Sequence, residues 1–387
     1  MEQNDYIKTE KTLQDNALNF RRHRLRATPL KPSVMSLALT HRCNSHCLMC
    51  NLWKRSREIP SIQSLEMSGR EILKILSSPA CSQLVELDLT GGEPHLRDDL
   101  VELATGVAGL KANHLTKLRS IIITSNGLLP AKIVANYRKI LEGLQRTNID
   151  LVSVNSFDGI GKIHDTIRGT KNAYKLVTET IEGLLELKKE YPNFLAGIKA
   201  TILPQNIDNL DSILDYALAK GLFHIISPVF FTAGRFRNLD RQDKLILGPG
   251  DYHKISKFYS RSELNKSYFY AQTFRFLKSR RKSWVCTAGY NYLFIEFDGK
   301  VFPCEMIATP IGDLRKQEPE TIWGGPLAQA WRKGMEKQER CRTCLEPGAI
   351  RYSACAEGLS YLKFLRRLGE SRFSTSWVGE GYSKYLE

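Results

Sequence analysis

The stretch VMSLALTHRCNSHCLMC, residues 34–50, opens as seven β-favouring, mostly apolar residues and closes on Cys43, Cys47 and Cys50, spaced C-x3-C-x2-C. The first part predicts a strand, and the thiols fall in the loop that directly follows it. Working outward, LVELDLT (84–90), SIIITSNG (120–127), DLVSVNS (150–156), LAGIKATIL (195–203) and HIISPVFF (224–231) predict five further strands. Helical stretches separate them. MSGREILKILSS carries Ser68 and Glu71 at capping-box spacing, and NAYKLVTETIEGLLELKKEY (172–191) has a long helical period. Strands alternating with helices imply parallel pairing through right-handed crossovers. Eight such units close a barrel; six predict an α/β fold with a partial (β/α)6 TIM-like barrel. Ligands of such sheets bind at the carboxyl ends of the strands, which is where the cysteine loop lies.

The chain has 387 residues, enough for one large domain and a smaller one. Lys and Arg number 56 against 41 Asp and Glu, a formal +15. That balance favours anionic partners, or serves solubility alone. No run of 18 apolar residues occurs and no h-region follows the basic N-terminal stretch, so neither a membrane span nor a signal peptide is expected and the cytoplasm is. In a reducing compartment nine cysteines argue for metal binding or catalysis.

Three thiolates suit an iron–sulfur cube with one iron left open. A zinc site is the alternative, with His41 or His46 as fourth ligand. TGGEP (90–94) follows the second strand, ITSNG (123–127) the third, and NSFDG (155–159) and HDTIRG (164–169) the fourth. Together with the cysteine loop, over about residues 34–230, this order of motifs resembles the radical S-adenosylmethionine (SAM) superfamily.

The resemblance implies that Cys43, Cys47 and Cys50 hold a [4Fe–4S] cluster whose open iron binds SAM. An electron then cleaves SAM to a 5′-deoxyadenosyl radical, which abstracts a substrate hydrogen. It further implies that Gly91, Gly92 and Glu93 meet the SAM amino group and that Ser125 and Asn126 lie near its ribose. Ser156 and Arg168 would hold its carboxylate, and Met49 would act through its backbone near adenine. Met49 stands where the family usually has an aromatic residue. His164 and Asp165 are expected to be structural, and no catalytic residue beyond the cofactor site is assigned.

Past residue 235 the pattern changes. YLFIEFDGKVFPC (292–304) alternates around Asp298-Gly299 and predicts a hairpin. Cys286, Gly299 and Cys304 form C-x12-G-x4-C, and Cys341 and Cys344 form CRTC. This resembles the Twitch domain, a shortened SPASM domain, and implies an auxiliary [4Fe–4S] cluster on Cys286, Cys304, Cys341 and Cys344. A zinc ribbon is the alternative. Cys81 and Cys355 are expected to be inert.

The expected organisation is a basic N-terminal extension (1–33), a partial barrel (34–235) and a basic helical connector (236–284). A hairpin-plus-helix auxiliary cluster domain (285–360) and a basic tail (361–387) complete it. The reaction expected is a biosynthetic step or the modification of a peptide or small molecule, with an electron donor such as flavodoxin or ferredoxin. The basic stretches 19–31, 274–282 and 361–373 read first as solvated helix faces. A second reading is an anionic lipid, polyprenyl or RNA substrate, with peripheral membrane contact. The 33 residues before Val34 are too few for the leader-binding module of many peptide-modifying relatives. A non-catalytic protein stabilised by zinc or iron–sulfur is the rival of another class; the oligomeric state is left open.

Overall fold

The computed structural model describes residues 3–369 and 379–386, so part of the basic stretch 361–373 lies outside the described residues. The chain divides into two compact units. One spans Val34–Leu247 and Leu293–Ile322; the other gathers the described residues up to Ser33, Gly248–Tyr292 and those from Trp323 on.

The first unit contains the barrel. Its strands are β1 (Val34–Thr40), β2 (Glu86–Gly91), β3 (Ser120–Ser125), β4 (Asp150–Ser156), β5 (Phe194–Ile202) and β6 (Phe223–Pro228). All neighbours pair in parallel, in the spatial order of the chain. Side chains on one face of the sheet, among them Leu87, Leu89, Ile121, Ile123, Leu151 and Ile198, are sealed from solvent. The helices cover this face: Tyr137, on the helix Pro130–Leu144, donates its hydroxyl to Ile123 O and also hydrogen-bonds Ser153. The opposite, inner face carries Ser36, Asp88, Ile122 and Val152 in one register row. Ser156 and Lys199 share a row nearer the strands' carboxyl ends.

The expected capping box is present: Ser68 and Glu71 bond each other's backbone N–H at the start of Gly69–Leu76. The expected hairpin is β7 (Tyr292–Ile295) and β8 (Lys300–Phe302), antiparallel, with β9 (Gly312–Asp313) added. The hairpin does not stand apart from the barrel, because β7 lies beside β1 and extends the barrel sheet.

In the second unit the N-terminal segment is a helix, Gln3–Arg26. It packs on the helix Pro347–Glu357: Asn16 Nδ2 donates to Cys355 O. A Cβ on Gly358 would meet Leu13 O at 2.2 Å, so helix and glycine are in direct contact. The helix Leu359–Leu368 buries Tyr361, Leu362, Phe364 and Leu365 and turns Lys363, Arg366 and Arg367 to solvent. Its basic residues thus form the solvated side of an amphipathic helix. Among the described residues no helix is long and apolar enough to cross a membrane.

Candidate active site

The cysteine loop is held from three sides at the carboxyl ends of the strands. On the β2 side, Gly92 N donates to Thr40 O (2.7 Å) and Glu93 N to Arg42 O (2.8 Å). Only glycine permits this approach: a Cβ on Gly91 (φ +123°) would lie 2.3 Å from Thr40 O, and one on Gly92 2.1 Å from Arg42 O. On the β4 side, His46 N donates to Arg168 O and Leu48 N to Ile167 O, both at 2.9 Å, at the end of the helix Lys162–Arg168. From the loop after β6, Asn238 Nδ2 donates to Met49 O (2.7 Å), and Asn51 N to Phe236 O (3.0 Å).

Glu93 is fully buried. It accepts from Asn126 N (2.7 Å), His95 N (3.1 Å) and Ser125 Oγ (3.0 and 3.1 Å). Burial nevertheless dominates and pushes its carboxyl up to about 7. Asn126 Nδ2 reaches Asn44 Oδ1 (2.7 Å) and the Cys43 thiol (3.7 Å). Ser125 and Asn126, expected near ribose, therefore bind Glu93 and the cysteine loop in this structure.

Arg168 is buried and pairs with Asp158 at 2.6 Å, while its Nη1 points at Cys47 Sγ (3.4 Å). Burial works against its charge, but Asp158 and the Cys47 thiol hold the guanidinium firmly charged. Asp158 also accepts from Thr201 N (2.7 Å). The Arg168 Nε is buried with no hydrogen-bond partner. That orphan donor, beside three thiols, fits an incoming carboxylate. Ser156 ends β4 and sits in register with Lys199. Met49 packs with Cys47, Ile167, Leu203 and Leu245, which shields one side of the loop from water.

His164 and Asp165 serve the scaffold. His164 Nδ1 accepts from Asp158 N (3.0 Å), and burial drives the ring down to about 3, so it is neutral. Asp165 accepts from Asn172 N and Tyr174 N at the start of the next helix.

Seven of the nine thiols fall into two chemical groups. Cys43 accepts a hydrogen bond from the backbone of Ser45, Cys50 from Leu52, Cys286 from Ala288, Cys304 from Met306 and Cys344 from Glu346. In all five the donor lies two residues on. Such N–H groups are already in place for thiolate sulfur, the form that binds metal. Cys81 and Cys355 instead donate, to Ile75 O and Tyr382 O, and burial pushes the Cys81 thiol up to about 12 and the Cys355 thiol higher still. Burial and mutual repulsion also raise Cys43, and Cys50 to about 12, so without a metal these thiols stay protonated.

In the second unit Cys286 acts electrostatically on both Cys341 and Cys344, and Lys282 offsets both. Cys304 belongs to the barrel unit. Among the described residues no three His, Cys, Asp or Glu side chains group closely enough to share one metal ion. The cysteines of a [4Fe–4S] cube bind separate irons and need not converge. The donor chemistry fits iron–sulfur clusters.

Several contributors were not singled out in the sequence. Asp158 lay inside NSFDG without a role. Arg235, Asn238 and Asn51 had no local signal. Arg235 donates to Thr90 Oγ1 (2.9 Å), pairs with Glu305, and acts electrostatically on Cys50.

Comparison with known proteins matches this geometry to a family. Residues 37–217 match the radical SAM superfamily, and residues 286–345 an iron–sulfur cluster-binding domain of the SPASM type. The chain belongs to the radical SAM superfamily and is an enzyme of that class, with a SAM-binding [4Fe–4S] cluster and an auxiliary one. Its relatives work in biosynthesis and modification. It is 27% identical over 337 residues to the AdoMet-dependent heme synthase of Methanosarcina barkeri, covering 81% of this chain and 88% of that one. It is 24% identical over 320 residues to the sporulation killing factor maturation protein SkfB of Bacillus subtilis, covering 80% and 69%. The structure of native anSMEcpe with bound AdoMet has the same fold, with a TM-score of 0.55 at 17% identity, over 92% of this chain and 99% of that one.

Proposed function

We propose that the chain cleaves SAM reductively and abstracts hydrogen from a substrate, in a biosynthetic step or in the modification of a peptide or small molecule. The observation that carries this reading is the convergence of the three-cysteine loop with Glu93 and Arg168 through direct hydrogen bonds. When bound, the cluster and SAM supply a one-electron cleavage that yields a 5′-deoxyadenosyl radical. Cys43, Cys47 and Cys50 are the ligands of that cluster. The buried Glu93 carboxylate accepts from the SAM amino group, with Gly91 and Gly92 giving room for the approach. Arg168, held by Asp158, takes the SAM carboxylate with Ser156, while Ser125, Asn126 and Met49 line the nucleoside side. On their sequence pattern, Cys286, Cys304, Cys341 and Cys344 are assigned to the auxiliary cluster, which accepts or relays an electron. A flavodoxin- or ferredoxin-type protein supplies the reducing electron.

The test is anaerobic iron and sulfide analysis with EPR of the reduced protein. It compares wild type with the variant Cys43→Ala, Cys47→Ala, Cys50→Ala. Iron should fall from about eight per chain to about four, since each cube holds four. A signal perturbed by SAM should appear in wild type alone. Iron unchanged in the triple variant, or no 5′-deoxyadenosine from reduced wild type, would refute the assignment.

A further inference from the structure

The chain is strongly basic, yet the inner face of its barrel carries acids. Glu86 and Asp88 occupy successive inner positions of β2, and both are buried. Asp88 is 8% exposed; its Oδ2 accepts from Ser36 Oγ at 2.8 Å, and its Oδ1 is buried with no hydrogen-bond partner. Two cations act on it electrostatically, Arg235 and Lys199. Arg235 does not complete it, because its terminal nitrogens go to Glu305 and Thr90. An unpartnered buried carboxylate oxygen is costly and calls for an explanation.

Solvent reaches this face. Thr124 and Ser156 are half-buried there, as are Lys199 and Thr201 on β5, while the helix-facing residues between them are sealed. A ligand entering from the carboxyl ends of the strands therefore meets Lys199 and Ser156 first and Asp88 deeper in.

We propose that Asp88 and Lys199 form a substrate-recognition subsite, in which Asp88 Oδ1 accepts from an ammonium or amide N–H and Lys199 faces a carbonyl or carboxylate. The ligand chemistry is that of an amino acid or a peptide segment. A polyphosphate is disfavoured, since Asp88 and Glu86 would repel it in a desolvated setting. The surface charge and the substrate are thus separate matters. Burial raises the Asp88 carboxyl above its ordinary range, and a bound cation would restore its ionised form. This inference rests on the radical SAM reading above.

The experiment is calorimetric titration of the cluster-loaded, SAM-bound protein with three probes: L-lysine methylamide, its N-acetyl form and inorganic tripolyphosphate. The lysine amides should bind. Equal affinity for the blocked and free forms assigns a peptide, and preference for the free form assigns an amino acid. Asp88→Asn should weaken them about ten-fold or more, the worth of a hydrogen bond to a charged group. Lys199→Gln should weaken them through the carbonyl while keeping Asp88 intact. Tripolyphosphate binding tighter than the amides, or amide binding that is absent or indifferent to both substitutions, overturns the subsite. Release of 5′-deoxyadenosine by reduced wild type is measured alongside. Its absence overturns the enzyme reading, whereas its presence without amide binding overturns only the subsite.

Discussion

Glu93 should make the protein less stable as pH rises, and by an amount the structure sets. The ordinary value of the carboxyl is 4.5; burial lifts it to about 7 in the folded chain. The folded state therefore holds the proton more tightly than the unfolded one. The associated stability is fully present below 4.5 and is lost as pH rises through about 7. A tenfold change in proton affinity is worth about 1.4 kcal/mol, so wild type should lose about 2 kcal/mol relative to Glu93→Gln between roughly pH 5.5 and roughly pH 8.5. The glutamine has only one acceptor oxygen, so it leaves a backbone N–H of His95 or Asn126 poorly served. That cost does not vary with pH and cancels in the difference. The assay is anaerobic urea unfolding of both proteins, free of cluster and of SAM so that no cluster charge acts on the carboxyl and unfolding is reversible, followed by circular dichroism across this range. A stability difference that is flat in pH, or that grows in wild type's favour as pH rises, would refute the buried-carboxylate argument. SAM affinity should move independently, falling about ten-fold or more in Glu93→Gln.

Two further outcomes follow from the same site. Asp158→Ala leaves Arg168 buried without its counter-charge and Thr201 N without an acceptor, so it should cost about 3–5 kcal/mol, seen as a lower midpoint in scanning calorimetry. A loss below about 1 kcal/mol would mean that water reaches the pair. Arg235→Gln removes a positive charge that acts on Cys50 and should lower the reduction potential of the three-cysteine cluster, while Glu305→Gln leaves that charge uncompensated and should raise it. EPR-monitored redox titration reads both shifts. Shifts of the same sign would show a packing effect in place of an electrostatic one.

Much of this molecule is written in short windows of the chain. Several of the six strands carry apolar runs and the others alternate, because helices cover one face of the parallel sheet while the other curves inward, and that signal is local. Ser68 and Glu71 announce a helix start through two hydrogen bonds within four residues. The C-x3-C-x2-C spacing, the two glycines before Glu93 and the Arg168 motif are also legible in short windows, although what they answer lies outside those windows: Thr40 O and Arg42 O for the glycines, Asp158 and Cys47 for Arg168. What no window contains is the meeting of distant segments. The hairpin joins the barrel by lying beside β1, about 250 residues earlier in the chain, through backbone bonds that carry no residue code. The helix Gln3–Arg26 reads as a basic extension until Asn16 and Leu13 are seen against Cys355 and Gly358. Asn238 and Arg235 look like ordinary loop residues, and only the closure of the barrel brings them to Met49, Thr90 and Cys50. Asp88 alternates with leucines in β2, between Glu86 and Thr90 on the same face. Its meaning depends on which face it occupies, and the curvature of the whole sheet decides that.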